Sequence, residues 1–292
     1  MRLPVLSALN FSFVRVNGDH LVLLGEGVRA GNFPHLRSLR VYPRPDRELG
    51  TAGLEGFFGG VRGSEKGLSF LEYFDLYSMV QRGEAKIDGI GEMLETLQVG
   101  KMPSLMDLDL SSCEMDDERM SMLATAVRGG YLRKVQVLRI SGNRFRGEGT
   151  DSFFRAVCET PSALPAIVNL DLSYNRVGEG VGSLAMALRQ GRLRTLQELS
   201  LEGCKLNDGA VRQLGEAFRT RKTQSLDSLC LSNNPSVTET GLSDFLNALL
   251  PQSLPKLRSF SLVASSIHPV RVWTLILQAK ENKKTLRCLT SL

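Results

Sequence analysis

Apolar residues recur along the chain at fixed offsets inside a unit of about thirty residues. Four copies are especially regular, and they begin at Leu105, Val135, Ile167 and Leu196. Each copy is apolar at its first, fourth, sixth and eleventh positions and has asparagine or cysteine at its ninth. Because the fourth and sixth positions alternate with polar residues, each copy predicts a short strand followed by a tight loop.

Looser copies extend this register in both directions, with first positions at residues 6, 36, 71, 226, 257 and 286. The repeats therefore predict one domain over residues 1–292 with about nine and a half units. The N-terminal third, residues 1–104, is less regular. Pro43 and Pro45 predict an irregular loop over residues 42–47, and seven glycines between residues 50 and 67 argue against a regular helix there.

Between the strand motifs, apolar residues follow the spacing of a helix face. Val211, Leu214 and Phe218 are one example, and Val181, Leu184 and Leu188 are another. Each repeat is therefore predicted to be a strand, a loop and an amphipathic helix, which makes the chain an α/β protein.

The pattern L-x-x-L-x-L-x-x-N/C-x-L resembles that of leucine-rich repeats. Units of 29 to 31 residues with a full helix, together with the strings from Leu170 to Asn175 and from Asn207 to Val211, resemble the ribonuclease inhibitor-like subfamily. Ribonuclease inhibitor, NOD-like receptors and Ran GTPase-activating protein have similar arrays. The resemblance implies a horseshoe-shaped solenoid with a parallel β-sheet on its concave face and helices on its convex face.

Composition sets the expected compartment. No run approaches the roughly 18 apolar residues of a membrane span, and the first residues read as a strand rather than a signal peptide. The five cysteines are odd in number and lack paired spacing, which favours a reducing compartment. We therefore expect a cytoplasmic protein, with the nucleus also possible, in which Cys113 and Cys204 are structural because they occupy the ninth position.

The sequence does not predict a catalytic site. His20, His35 and His268 fall in distant repeats, so neither a metal cluster nor a Ser-His-Asp triad is predicted. The glycines from Gly178 to Gly182 look like a phosphate-binding loop, but the βαβ context that such a loop requires is not there, so we interpret them as a turn into a helix. We expect no enzyme, no cofactor and no small-molecule substrate.

The third, fifth, seventh and eighth positions of each repeat should face outward from the concave sheet, with the second position close by. From the third to the eighth repeat these positions hold eight acids and one arginine, a net charge of −7. Because the whole chain carries +5, the remainder carries +12. The charged residues are Glu72, Asp75, Asp107, Asp109, Arg139, Asp171, Glu198, Glu202 and Asp227.

The same positions supply Tyr73, Tyr77 and Tyr174. Tyrosine suits protein interfaces because it combines rigid apolar area with a polar tip. An acidic face with tyrosines predicts another protein with a basic contact surface as the partner. A second interpretation stays open, in which aspartate at the fifth position is common in this subfamily and simply solvated.

Basic residues cluster near the predicted helix C-termini, at 128–134, 189–194, 219–222 and 280–287. They complement the helix dipole, but stacked from repeat to repeat they could also form a basic edge that contacts an acidic protein, anionic lipid or nucleic acid. Apolar residues of the last helix and a partial strand from Leu286 predict that this end either docks against another chain or is the cut face of a longer array. The protein is accordingly expected to be a monomer or part of a larger assembly.

The sequence therefore predicts a non-catalytic protein-binding scaffold that uses the concave face of a leucine-rich repeat solenoid. The alternative is a GTPase-activating regulator resembling Ran GTPase-activating protein.

Overall fold

The structure, a computed structural model, describes residues 5–11, 17–41, 51–76, 89–263 and 265–283. Within these residues nine strands form one parallel sheet in chain order. The strands are β1 (Ala8–Asn10), β2 (Ser38–Arg40), β3 (Tyr73–Asp75), β4 (Asp107–Asp109), β5 (Val137–Arg139), β6 (Asn169–Asp171), β7 (Glu198–Ser200), β8 (Ser228–Cys230) and β9 (Ser259–Ser261). Every strand occupies the third to fifth positions of its repeat, as the apolar pattern predicts.

Helices alternate with the strands and lie on the convex side of the sheet. They are α1 (Gly18–Arg29), α2 (Thr51–Gly63), α3 (Gly89–Gln98), α4 (Asp117–Arg128), α5 (Gly147–Glu159), α6 (Val181–Arg189), α7 (Asp208–Phe218), α8 (Glu239–Ala248) and α9 (Pro269–Lys283). A short 3-10 helix, Val177–Gly180, precedes α6. This is an α/β solenoid of leucine-rich repeats, with a sheet on one face and helices on the other.

The core runs continuously along the array between sheet and helices. The central residue of each strand from β2 to β9 is at most 2% exposed, and the apolar helix faces pack against these residues. Burying a leucine or phenylalanine side chain contributes about 1.5 to 3 kcal/mol, so the repeated layer provides most of the stabilisation. The fourth and sixth positions therefore face the core, as predicted.

An asparagine or cysteine at the ninth position closes the loop that follows each strand from β4 to β8. The Asn234 amide donates to the carbonyl oxygens of Leu201, Leu231 and Ser232, and its own oxygen accepts from the Leu206 backbone amide at 3.0 Å. Asparagine thus satisfies buried backbone groups of two neighbouring repeats at once.

Cysteine takes the same place in two repeats. Cys113 Sγ donates to the Leu76 carbonyl at 3.0 Å, and Cys204 Sγ donates to the Leu172 carbonyl at 3.2 Å. Burial raises the pKa of Cys204 to about 12, so this thiol stays protonated and unreactive. The structural interpretation of these two cysteines agrees with this geometry.

The glycine-rich stretch contradicts the expectation of irregular structure, because residues 51–63 form the regular helix α2. A Cβ on Gly60 would lie 2.2 Å from the Gly25 oxygen, and one on Gly53 would lie 2.4 Å from the Gly18 Cα. The glycines therefore let α1 and α2 pack backbone against backbone, and this packing outweighs their weak helix propensity.

The glycines that resemble a phosphate loop also have a packing role. A Cβ on Gly178 would lie 2.3 Å from the Lys205 oxygen, and one on Gly180 would lie 2.6 Å from the Gly147 oxygen. Small residues are needed here because neighbouring repeats approach closely. The predicted loop over residues 42–47, Tyr77 and the repeat that begins at Leu286 lie outside the described residues.

Candidate functional site

Two rows of side chains run across the concave face because the parallel strands pair in register. One row contains the first residue of each strand, and Tyr73, Asp107 and Val137 are neighbours in it. The other row contains the last residue of each strand, and Asp75, Asp109, Arg139 and Asp171 follow one another in it. The sheet therefore brings residues about thirty positions apart in sequence side by side.

The densest charge on this face lies at β3 to β5. Arg139 Nη1 is 2.9 Å from Asp107 Oδ1 and 4.0 Å from Asp109 Oδ2, so one guanidinium lies between two carboxylates. Asp75 is paired in register with Asp109 on the next strand. Asp107 and Asp109 thus share Arg139, while Asp75 lies in register with Arg40 of β2 on its other side. Three acids and two arginines leave this acidic cluster (Asp75, Asp107 and Asp109 around Arg139, with Arg40 at its edge) negative.

Desolvation by burial raises the pKa of Asp107 and of Asp109 above the usual value. The negative charge of Asp109 raises the pKa of Asp107 further, and that of Asp75 acts in the same way on Asp109. Arg139 opposes the shift at both residues but does not cancel it. Ionisation of Asp107 and Asp109 therefore costs more free energy in the folded protein than in water, and an additional cation nearby would reduce that cost.

A second acidic stretch lies on β6 and β7, where hydrogen bonds fix the carboxylates. Asp171 Oδ1 accepts from the Ser173 backbone amide at 3.0 Å and from the Ser173 hydroxyl at 2.5 Å. That hydroxyl also bonds the Ser200 hydroxyl of the next repeat at 2.6 Å. Glu198 accepts a hydrogen bond from the Asn169 side chain. These acids are oriented by neutral hydrogen-bond partners.

Tyr174 forms the third group on this face, together with Glu202 and Asn233. The phenol donates to Glu202 Oε1 at 2.5 Å, and the Asn233 amide donates to the same carboxylate oxygen at 2.5 Å and to the phenol oxygen at 3.3 Å. The hydrogen bond to Glu202 raises the pKa of Tyr174. This tyrosine cluster (Tyr174, Glu202 and Asn233) spans three consecutive repeats, and 55% of the Tyr174 surface remains exposed.

The eighth position that carries Tyr174 has an unusual backbone. Ser112, Gly142, Tyr174, Gly203 and Asn233 all have φ between 56° and 64°. This left-handed region suits glycine and asparagine and disfavours a bulky residue. Tyr174 is therefore held in a backbone conformation that its side chain does not favour, with its ring against Gly203, where a Cβ would lie 2.7 Å from the tyrosine Cδ1.

The acids at the second position do not add to the net charge of the face. Glu72 pairs with Arg37, and Asp227 Oδ1 is 2.5 Å from Arg258 Nε. Arg37 and Arg258 occupy the second position of the second and ninth repeats, so they flank the six repeats that carry the eight acids. The negative charge of the sheet is therefore concentrated in its centre, between β3 and β7.

Tyr73 is 42% exposed next to Asp107 in the first row. Sequence reasoning missed Asn233, Arg37 and Arg258, although each stands at the same repeat position as a residue that was selected. Comparison of equivalent positions in adjacent repeats would have found them.

The described part of the chain contains no group of three or more histidine, cysteine or acidic residues that could hold a metal ion. His20 and Asn17 form the cap of α1, and His268 Nδ1 accepts from the Val270 amide, so these two histidines have local structural partners. No helix among the described residues has the length and apolarity required for a membrane crossing.

Parts of this chain are similar to known sequences. A model of the family described as leucine-rich repeat matches residues 101–124. Over 153 residues, 50% of the chain, the sequence is 31% identical to the Tonsoku-like protein of Danio rerio. The match covers only 10% of the length of that relative.

Two solved structures are similar in fold. One is a chain of the Rad7–Elc1 complex of yeast, with a TM-score of 0.48 and 18% identity over 97% of this chain and 68% of that one. The other is the leucine-rich repeat-containing protein LegL7 of Legionella pneumophila, with a TM-score of 0.40 and 12% identity over 96% of this chain and 92% of that one. None of these proteins is named as a GTPase-activating protein.

Proposed function

We propose that this leucine-rich repeat solenoid is a non-catalytic protein-binding scaffold of the ribonuclease inhibitor-like type, whose concave face holds a protein with a basic contact surface. Leucine-rich repeat arrays typically serve as scaffolds for protein interactions. The binding residues we propose are Glu72, Tyr73, Asp75, Tyr77, Asp107, Asp109, Arg139, Asp171, Tyr174, Glu198 and Glu202. Tyr77 lies outside the described residues and enters on its sequence position alone.

The acidic cluster is the observation that carries this proposal. The raised pKa values of Asp107 and Asp109 mean that the free protein holds these charges close together and partly desolvated. A lysine or arginine from a partner would offset that repulsion, so part of the binding free energy is already stored in the unbound face.

The tyrosine cluster supplies a second anchor at the other end of the acidic stretch. Tyr174 presents a largely exposed ring whose position is fixed by Glu202 and Asn233. A rigid aromatic anchor loses little conformational entropy on binding, which is why tyrosines often dominate interface energetics. The two clusters together fit a partner with basic residues around an apolar contact.

The compartment we propose is the cytoplasm, with the nucleus as the other reducing location. The four described cysteines, Cys113, Cys158, Cys204 and Cys230, form no disulfide with one another. Unpaired thiols are typical of reducing compartments.

Affinity capture with matched baits tests the function. Beads carrying wild-type protein, Asp75→Lys or Glu148→Lys are incubated with lysate from the source cells. Glu148→Lys makes the same change of charge on an exposed residue of α5, away from the sheet. We expect a protein that is retained by wild type and by Glu148→Lys but is lost from Asp75→Lys. Calorimetry with that purified protein should show weaker binding at higher salt.

Two results would contradict the proposal. Three baits that retain the same proteins would mean that the acidic cluster does not contribute to binding. Loss of the captured protein on charge reversal of Arg219, Arg221 and Lys222, with no effect of Asp75→Lys, would move the protein-binding surface to the basic edge.

A further inference from the structure

The loops that connect α6 to β7 and α7 to β8 concentrate positive charge at one edge of the solenoid. Together with the last residue of α6, they carry six cations in two adjacent repeats: Arg189, Arg192, Arg194, Arg219, Arg221 and Lys222. Within the described ranges none of the six has a carboxylate oxygen within 4.0 Å. By contrast, Arg128 pairs with Glu159 and Arg271 pairs with Glu239.

The helix dipole explains only part of this arrangement. Arg189 lies in the last turn of α6, and Arg219 is the C-cap of α7, so both complement a helix C-terminus. Arg194 and Lys222 come several residues after their helices, where the dipole effect has decayed. Like charges held close together without acids destabilise the free protein, which favours binding of an anion.

A cleft lies between the two loops. It has a volume of about 510 Å³ and is lined by Gln190, Gly191, Arg194, Thr195, Arg221, Lys222, Gln224 and Ser225. The lining contains three cations, two amides and two hydroxyls but no carboxylate and no aromatic ring. Its size falls in the range of small-ligand pockets, about 300 to 1,000 Å³.

The two loops that form the walls of the cleft pack against each other at Gly191. A Cβ on this residue would lie 3.4 Å from Lys222 Cβ and 3.5 Å from its Cδ, so the lysine stem runs along the glycine. Arg221 has φ 59°, five residues before the next repeat begins, where Gly31, Gly130 and Gly191 also have positive φ. An arginine therefore replaces glycine at a position that glycine adopts without steric cost.

We propose that this cleft binds a small ligand that carries two or more phosphate groups. Arginine binds phosphate through paired hydrogen bonds, and lysine adds a point charge. Cations on both walls favour a ligand with more than one anionic group, which can contact both walls at once. The absence of an aromatic ring among the lining residues leaves nothing on which bases could stack, which disfavours a single-stranded nucleic acid. The cleft is separate from the concave face, so the inference does not depend on the proposed protein-binding function.

Calorimetry on the full chain with sodium tripolyphosphate as the probe tests the inference. The variants are Arg194→Gln and Arg221→Gly, and the second should fold well because glycine suits the left-handed backbone there. Arg212→Gln is the control, since it removes the same charge from an exposed residue of α7 that does not line the cleft. Citrate and a duplex DNA oligonucleotide are measured beside tripolyphosphate.

We expect tripolyphosphate to bind wild type and Arg212→Gln equally and both cleft variants at least about tenfold more weakly. Absence of tripolyphosphate binding would overturn the proposal, as would equal weakening by Arg212→Gln. If citrate binds as tightly as tripolyphosphate, the cleft attracts anions in general, and the proposed preference for phosphate is wrong. Tight duplex binding that tripolyphosphate cannot compete away would identify a nucleic-acid surface instead.

Discussion

Replacement of Gly203 by alanine tests whether the Tyr174 ring is held in place by its neighbour. Gly203 has φ 62°, and a Cβ there would lie 2.7 Å from Tyr174 Cδ1 and 3.0 Å from Cε1. Alanine therefore has two effects, since it strains its own backbone and pushes the ring aside.

The magnitude follows from these two effects. A non-glycine residue in the left-handed region costs about 1 to 2 kcal/mol. A ring forced off its preferred rotamer costs about 0.5 to 1.5 kcal/mol more. Gly203→Ala should therefore lower the free energy of unfolding by about 1.5 to 3.5 kcal/mol, and displacement of the ring from Glu202 should weaken partner binding.

Gly142→Ala is a matched control, because Gly142 occupies the same repeat position with φ 64° and faces only the small Ser112 hydroxyl at 2.8 Å. Urea denaturation of both variants, alone and with Tyr174→Asn, measures the contribution of the ring. We expect Gly203→Ala to cost more than Gly142→Ala, and the excess to vanish in the Tyr174→Asn background. Equal costs for the two variants, or an excess that persists without the ring, would refute the packing described above.

Four further measurements address the hydrogen bonds of Asn234, the acidic cluster, the contact between α1 and α2, and the thiols. Asn234→Ala leaves several buried backbone groups without partners and should lower the free energy of unfolding by about 3 to 4 kcal/mol in urea denaturation. A loss below about 1 kcal/mol would show that the hydrogen bonds of Asn234 do not stabilise the loop. Asp109 has a raised pKa in the folded state, so the folded protein binds protons more readily than the unfolded chain, and this residue contributes more stability as the pH falls through that pKa. Asp109→Asn should accordingly raise the urea midpoint at neutral pH and not at acidic pH, and an equal effect at both would argue against the raised pKa. Gly60→Ala should separate α1 from α2 and lower the free energy of unfolding by about 2 kcal/mol, whereas an unchanged midpoint would rule out close helix contact. Thiol titration of the native protein should modify the half-buried Cys230 before the three other described cysteines, and rapid modification of those would contradict their burial.

The sequence predicted the strands and their register because a buried side chain must recur at every second position of a strand and once per repeat. The same rule placed the outward rows, so Asp75, Asp109 and Arg139 could be identified as neighbours. Helix α2 was missed, since propensity counts the entropy cost of glycine and not the close contact that Gly60 permits with Gly25. The tyrosine cluster was predicted only in part, because side-chain direction at the eighth position depends on a left-handed φ that the apolar pattern does not reveal.

The strict chain order of the sheet has a consequence for cooperativity. Each strand pairs only with the strand before and after it, so coupling between distant repeats in the free array must pass through every unit between them. A partner that contacts β3 and β8 together would connect these repeats directly. Bound arrays should then unfold as a larger unit than free ones, with a steeper transition and with less fraying at the repeats farthest from the centre.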